Sequence, residues 1–163
     1  VIAVASEPFS QQLVINKGTL SGVYEGQPVL DSNGIIGQVQ DVGGNTARVL
    51  LLSDQSHAIS LRSERNDIRV LAQGTGDIGR LELMFIPHSS DLQKGDLLMA
   101  SGLGGVFPEG YPVARISSIV RDESLPFATV FADPVSALDR VRNVLLLWPS
   151  EGEQQPIFDE DEE

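Results

Sequence analysis

The chain of 163 residues has no cysteine, two histidines, one tryptophan and two tyrosines. Without thiols it can build neither a disulfide framework nor a thiolate metal site, and nothing in it points to a redox compartment. No HxH, HxxxH or HExxH spacing and no D-x-D-x-D-G loop occurs, so neither a metal nor any other cofactor is expected. Bases are scarce, with 11 Lys and Arg against 23 Asp and Glu for a net charge of −12. Because a phosphate backbone needs a basic face, nucleic acid is excluded as the main partner. No apolar run reaches the roughly 18–20 residues of a membrane helix, and no signal peptide opens the chain as written. Helical periodicity is nearly missing as well.

The charge that is present is uneven. Residues 151–163 read EGEQQPIFDEDEE, seven acids with no base. So acidic a segment, with only Ile157 and Phe158 as apolar residues, buries too little surface to offset its ordering entropy. It is read as a disordered acidic tail, with a hook for a basic partner as the sharper alternative.

Short runs rich in Val, Ile and Leu recur between Gly, Pro, Asn and Asp clusters, which predicts an all-β chain. Strands are expected at 2–5, 13–16, 28–30, 35–42, 48–52, 58–61, 69–73, 80–86, 96–100, 112–121, 129–132 and 143–147. Residues 80–85 alternate, which places Leu81, Leu83 and Phe85 on the buried face. Ser32-Asn33-Gly34 and Gly43-Gly44-Asn45 are hairpin signals, since Asn and Gly tolerate positive φ. One short helix is expected over 134–142, capped by Asp133 and opened by Pro134, with Leu138 and Val141 inward and Arg140 and Arg142 at its carbonyl end.

A weak internal repeat runs through the chain. Gly26-Gln27-Pro28-Val29-Leu30, Ile36-Gly37-Gln38-Val39 and Ala47-Arg48-Val49-Leu50 are echoed by Gly95-Asp96-Leu97-Leu98-Met99, Val113-Ala114-Arg115-Ile116 and Ala128-Thr129-Val130-Phe131. The repeat and the spacing predict two small six-stranded-type β-barrels, over 1–78 and 79–150, with strand exchange between them allowed.

Catalytic groups are sparse. Asp54, Ser56 and His57 lie close in sequence, and Ser101 stands before a Gly-rich stretch. A degenerate or active trypsin-like serine hydrolase is therefore the rival reading, weakened by the absence of a G-D-S-G-G oxyanion loop and by Asp54 lying only three residues before His57. Gly74-Thr75-Gly76-Asp77-Ile78-Gly79 matches G-x-G-x-x-G as a string, but a strand follows it where phosphate binding needs a helix N-terminus. It is read as a connector.

The segment that stands out is 101–113, which joins four glycines, two prolines and the tips Leu103, Phe107 and Tyr111. Proline fixes φ while glycine widens it, so such a loop can be tight and defined. One reading makes it a plug at a barrel end. The other makes Leu103, Gly104, Gly105, Val106, Phe107, Pro108 and Tyr111 a partner-binding surface anchored by its aromatics.

Several strings then resemble the extracytoplasmic domain of MreC, the family of bacterial rod-shape-determining proteins. They are Ile15-Asn16-Lys17-Gly18, Gly26-Gln27-Pro28-Val29 with Gly34-Ile35-Ile36-Gly37-Gln38-Val39, Val49-Leu50-Leu51-Leu52-Ser53-Asp54, Gly95-Asp96-Leu97-Leu98, Ser101-Gly102-Leu103-Gly104-Gly105-Val106-Phe107-Pro108, and Leu138-Asp139-Arg140 with Val144-Leu145-Leu146-Leu147-Trp148. They run in order through most of residues 1–150. The resemblance implies two small barrels, one distantly trypsin-like in fold, outside the inner membrane. It also implies a membrane helix and a coiled coil ahead of this stretch, and hence a periplasmic location with an inner-membrane anchor. The function it implies is a non-enzymatic scaffold of the peptidoglycan-synthesising elongation machinery. Such a scaffold contacts MreD and the class B transpeptidase, penicillin-binding protein 2, which it activates, and it self-associates.

Overall fold

In a computed structural model of the chain, residues 3–4, 11–103, 107–141 and 143–147 are described. The apolar runs form twelve strands, one at each of the twelve expected places. They are β1 (Ala3–Val4), β2 (Gln12–Ile15), β3 (Pro28–Leu30), β4 (Ile35–Val42), β5 (Ala47–Leu51), β6 (Ala58–Ser63), β7 (Arg69–Gly74), β8 (Leu81–Ile86), β9 (Leu97–Ala100), β10 (Pro112–Val120), β11 (Ala128–Pro134) and β12 (Leu145–Leu146). β10, β11, β8, β7, β6 and β9 close into a barrel in that order, while β1, β2, β5, β4, β3 and β12 form an open six-stranded sheet. The fold is all-β, as expected.

The repeat in the sequence is a repeat in topology. Opened between β6 and β9, the barrel reads β6-β7-β8-β11-β10-β9, and the open sheet presents β1-β2-β5-β4-β3 in the same sense. β12 pairs with β3 as β6 pairs with β9, so the end of the chain supplies the strand that the barrel takes from its own beginning. The backbone bonds match too. Gly26 N donates to Val39 O at 2.7 Å and Gly95 N to Ile116 O at 2.8 Å. Both glycines sit at φ near +90°, where a Cβ would be strained, which explains why the repeat keeps a glycine ahead of each strand.

Three expectations are corrected. The division between the sheets falls at 52–57 instead of near residue 79, because β6 and β7 pair with β9 and β8 and so belong to the barrel. The Gly74–Gly79 stretch, by contrast, is a connector as expected, the hairpin turn between β7 and β8, closed by Arg80 N to Asp77 O at 3.0 Å. The helix expected at 134–142 is a three-residue 3-10 turn, Leu138–Arg140. Pro134 instead ends β11, still in register with Ala114, and Val135 N continues the ladder to Val113 O at 2.9 Å. Leu138 is nonetheless buried. Arg142 and the segment 151–163 lie outside the described residues.

The third correction is Phe85, expected inside and found 65% exposed. Leu83 pairs with Val130 and Ile86 with Ala128, so β8 spends three steps where β11 spends two. The extra residue is a β-bulge, and Phe85 takes φ +58°, which re-aims its ring outward.

Both hairpins form where Asn and Gly mark them, but without positive φ at Asn33, Gly34, Gly43, Gly44 or Asn45. Asp31 Oδ1 instead accepts from Asn33 N at 2.8 Å and Gly34 N at 3.2 Å. Gly34 is needed for another reason. A Cβ there would overlap the Pro112 carbonyl and lie 2.9 Å from Val135 Cγ2, at a contact between the two sheets. Ser136 Oγ donates to Asp31 Oδ1 at 2.6 Å beside it. One contiguous apolar cluster, from Leu13 through Leu51 and Leu61 to Val130, runs through both sheets. Each such side chain contributes about 1.5–3 kcal/mol by leaving water.

Gly34→Val should therefore lower unfolding free energy by about 2 kcal/mol or more. Gly44→Ala, where a Cβ meets nothing within 4 Å, should stay within about 0.5 kcal/mol. Urea denaturation followed by circular dichroism checks both.

Candidate functional site

The sequence nominates two places for function, the Asp54–Ser56–His57 group and the 101–113 loop. The first lies in the 52–57 segment that carries the chain from sheet to barrel. Asp54 accepts from Ser56 N at 2.8 Å, Ser56 Oγ at 2.6 Å and Gln11 N at 2.7 Å. Burial pushes its carboxyl up, but the Ser56 hydroxyl and the two amides outweigh this and hold it below the usual carboxylate range. Gln11 extends the knot, bonding Ser53 Oγ and the Gly76 carbonyl. The carboxylate is a structural acceptor that ties a turn, with no bond to the imidazole.

His57 is 3% exposed. Its Nε2 lies 2.9 Å from Gln38 Oε1 on β4, its Nδ1 is buried without a partner, and Phe107 stands edge-on at 6.0 Å between ring centroids. Desolvation drives its pKa down to about 4, against the pull of Asp54. A general base needs a nucleophile within reach, and here the ring contacts an amide and a phenyl group. Ser101 is elsewhere, donating to Ser60 Oγ at 2.9 Å and accepting from Leu103 N at 3.1 Å. Serine, imidazole and carboxylate are thus each consumed by structure, and the hydrolase reading finds no support. Among the described residues no cluster of three or more metal-ligating side chains occurs, and no helix is long and apolar enough to cross a membrane.

The loop divides its nominated residues. Phe107 turns inward, 8% exposed against His57, and Pro108 is half-buried. Leu103 and Tyr111 stand outward, 61% and 37% exposed. Gly104, Gly105 and Val106 lie outside the described residues. Gly102 and Gly110 take φ +78° and +95°, and Gly110 N bonds Ala100 O at 3.0 Å, which pins the loop's return. Phe107 therefore does what the plug reading expects, while Leu103 and Tyr111 are the members another molecule can touch.

Sequence reasoning missed the second apolar surface, around Phe85. Phe127 meets that ring edge-on at 5.6 Å, and both are exposed. Only the pairing register reveals it, because the bulge leaves no mark in the alternation of β8.

The family model described as "Rod shape-determining protein MreC, barrel core" matches residues 1–148. The cell shape-determining protein MreC of Haemophilus influenzae is 53% identical over 92% of this chain, which spans 43% of that relative's length. A crystal structure of MreC from Pseudomonas aeruginosa superposes with TM-score 0.88 at 47% identity, covering 91% of this chain and 96% of that one. An MreC chain solved in complex with penicillin-binding protein PBP2 from Helicobacter pylori shares the fold, with TM-score 0.60 at 21% identity, covering 86% of this chain and 87% of that one.

Because His57 is buried neutral, its folded pKa lies below the unfolded value of 6.5. The unfolded chain then binds the proton first, so the contribution is fully present above pH 6.5 and is lost as pH falls from there to about 4. The loss should reach about 3 kcal/mol. Urea midpoints across that range should show the slope, and His57→Gln should flatten it.

Proposed function

The chain belongs to the MreC family, and on that premise we propose that it is a non-enzymatic scaffold of the cell-elongation machinery that maintains rod shape. In this reading it works in the periplasm, anchored to the inner membrane by a segment outside this stretch, and binds and activates a class B penicillin-binding transpeptidase. MreD is a further partner. The observation that carries the reading is the pairing of spent catalytic groups with unspent apolar ones. Asp54, His57 and Ser101 are committed to internal bonds, while Leu103 and Tyr111 stand in solvent on a loop whose ends are pinned. The H. pylori MreC–PBP2 complex supports the choice of partner.

A scaffold activates by population shift, holding one partner conformation through differential affinity. That needs exposed contact residues, and Leu103 and Tyr111, exposed on either side of the buried Phe107 in the sequence, suit the task. Self-association draws on β1 and β12, the short outer strands of the open sheet among the described residues.

Leu103→Asp with Tyr111→Asp should keep the fold and weaken binding to the transpeptidase's periplasmic part about tenfold or more in a titration. Phe107→Asp should instead unfold the chain or destabilise it by about 3 kcal/mol, since it buries a charge beside His57. Equal binding by a folded Leu103/Tyr111 double variant would remove the loop from the contact. A fluorophosphonate probe should label neither Ser56 nor Ser101.

A further inference from the structure

We propose that the cleft between β7 and β8, beneath Phe85, takes an extended apolar segment of the partner protein, with a carboxylate of that segment against Arg69. This rests on the scaffold reading above and names the surface and the chemistry of its occupant.

β7 pairs with β6 along Arg69–Gln73, but with β8 only from Leu71 to Gly74, where Leu71 faces Met84. At the bulge β8 stays with β11 and parts from β7, so Arg69 and Val70 have no partner from β8. The parting opens a cleft of about 220 Å³ whose walls include Arg69, Leu71, Met84, Phe85 and Ser90. The barrel, closed at one end of this strand pair, is split at the other.

The cleft is equipped for a peptide. Phe85 holds a left-handed backbone that a bulky side chain adopts only when its surroundings impose it, and the result is an aromatic ring placed in solvent. Phe127 braces that ring, and Leu71 is exposed beside it. Ser90 Oγ is buried in the structure without a hydrogen-bond partner, so a polar group entering the cleft would satisfy it. Arg69 is exposed at the cleft wall with no acidic partner among the described residues, whereas Arg62 and Arg65 are each held by two carboxylates.

Size selects the occupant. Phe85, Phe127 and Leu71 together expose on the order of 300 Å², well under the roughly 800 Å² per partner of a stable interface between folded surfaces. A second copy of this chain would need far more area than the patch offers. An extended segment needs less, because it adds main-chain bonds at the open edge of β7 to side-chain burial. The unpaired guanidinium adds a preference for a carboxylate on that segment.

The test titrates the purified full chain with the periplasmic part of the class B transpeptidase at two salt concentrations. Phe85→Gly should raise the melting temperature, since glycine relieves the positive φ, yet weaken binding at least about tenfold. Arg69→Glu should leave the melting temperature unchanged, weaken binding and reduce its salt dependence. Should Phe85→Gly lower the melting temperature instead, Arg69→Glu and Leu71→Asp carry the test alone. If wild type binds and the folded variants bind equally well, the cleft proposal is overturned and the scaffold reading stands. If wild type does not bind, that reading falls and this proposal with it. A Phe85→Gly change that alters only sedimentation, with binding intact, would assign the surface to a second copy and overturn the proposal.

Discussion

The structure turns on the joint at Ser53–His57, where one carboxylate ties the turn that carries the chain from the open sheet into the barrel. Asp54 gathers Ser56 and the Gln11 amide, its own carbonyl accepts from His57 N at 3.0 Å, and Gly74 N returns to His57 O at 3.0 Å. β7 can lie this close only because Gly74 has no Cβ, which would otherwise overlap the Asp54 carbonyl. A hydrogen-bonded ionised carboxylate is worth more than neutral pairs, and leaving its donors unmet would cost as much again. The open sheet therefore does not swing freely on the barrel. Gln38–His57 and Ser136–Asp31 add further bonds across the same junction.

That joint also explains the fate of the groups that look catalytic. An acid, a hydroxyl and an imidazole within four residues suggest chemistry, yet the same atoms are suited to closing a tight turn in a dry place. Once Asp54 is saturated by amides and a hydroxyl, it has little left with which to orient an imidazole. His57 is then a polar plug whose one bond points across the junction and whose face supports Phe107. Stability and the placement of Phe107 thus share one residue.

The two sheets put one plan to different ends. In the barrel β6 pairs with both β7 and β9 and the ring closes. In the open sheet the matching role falls to β12, which arrives from the far end of the chain and pairs with β3 alone. Closure removes edges, and openness keeps them. The barrel in turn exposes apolar surface through a bulge, the usual device by which a sheet re-aims one side chain without losing its ladder. A protein that works by contact needs such surfaces, and here they arise from local departures from a regular plan.

Much was legible from residues alone. Val, Ile and Leu runs cut by Gly, Pro and Asn located all twelve strands, since side-chain alternation and turn chemistry are local properties. The Gly26 and Gly95 repeats marked a duplicated meander, because a backbone needing positive φ admits few residues. The similarity of most of residues 1–150 to the MreC family could be read from the same strings. Which strands close with which was decided only in three dimensions. Pairing is non-local, and it moved the division between sheets from 79 to 52–57 and drew β11 through Pro134 where a helix was expected. The facing of Phe85 and Phe107 belongs to the same class. A one-residue bulge inverts a side chain without changing the pattern that encodes it, and an aromatic on a loop goes in or out according to whether a buried imidazole waits beneath it.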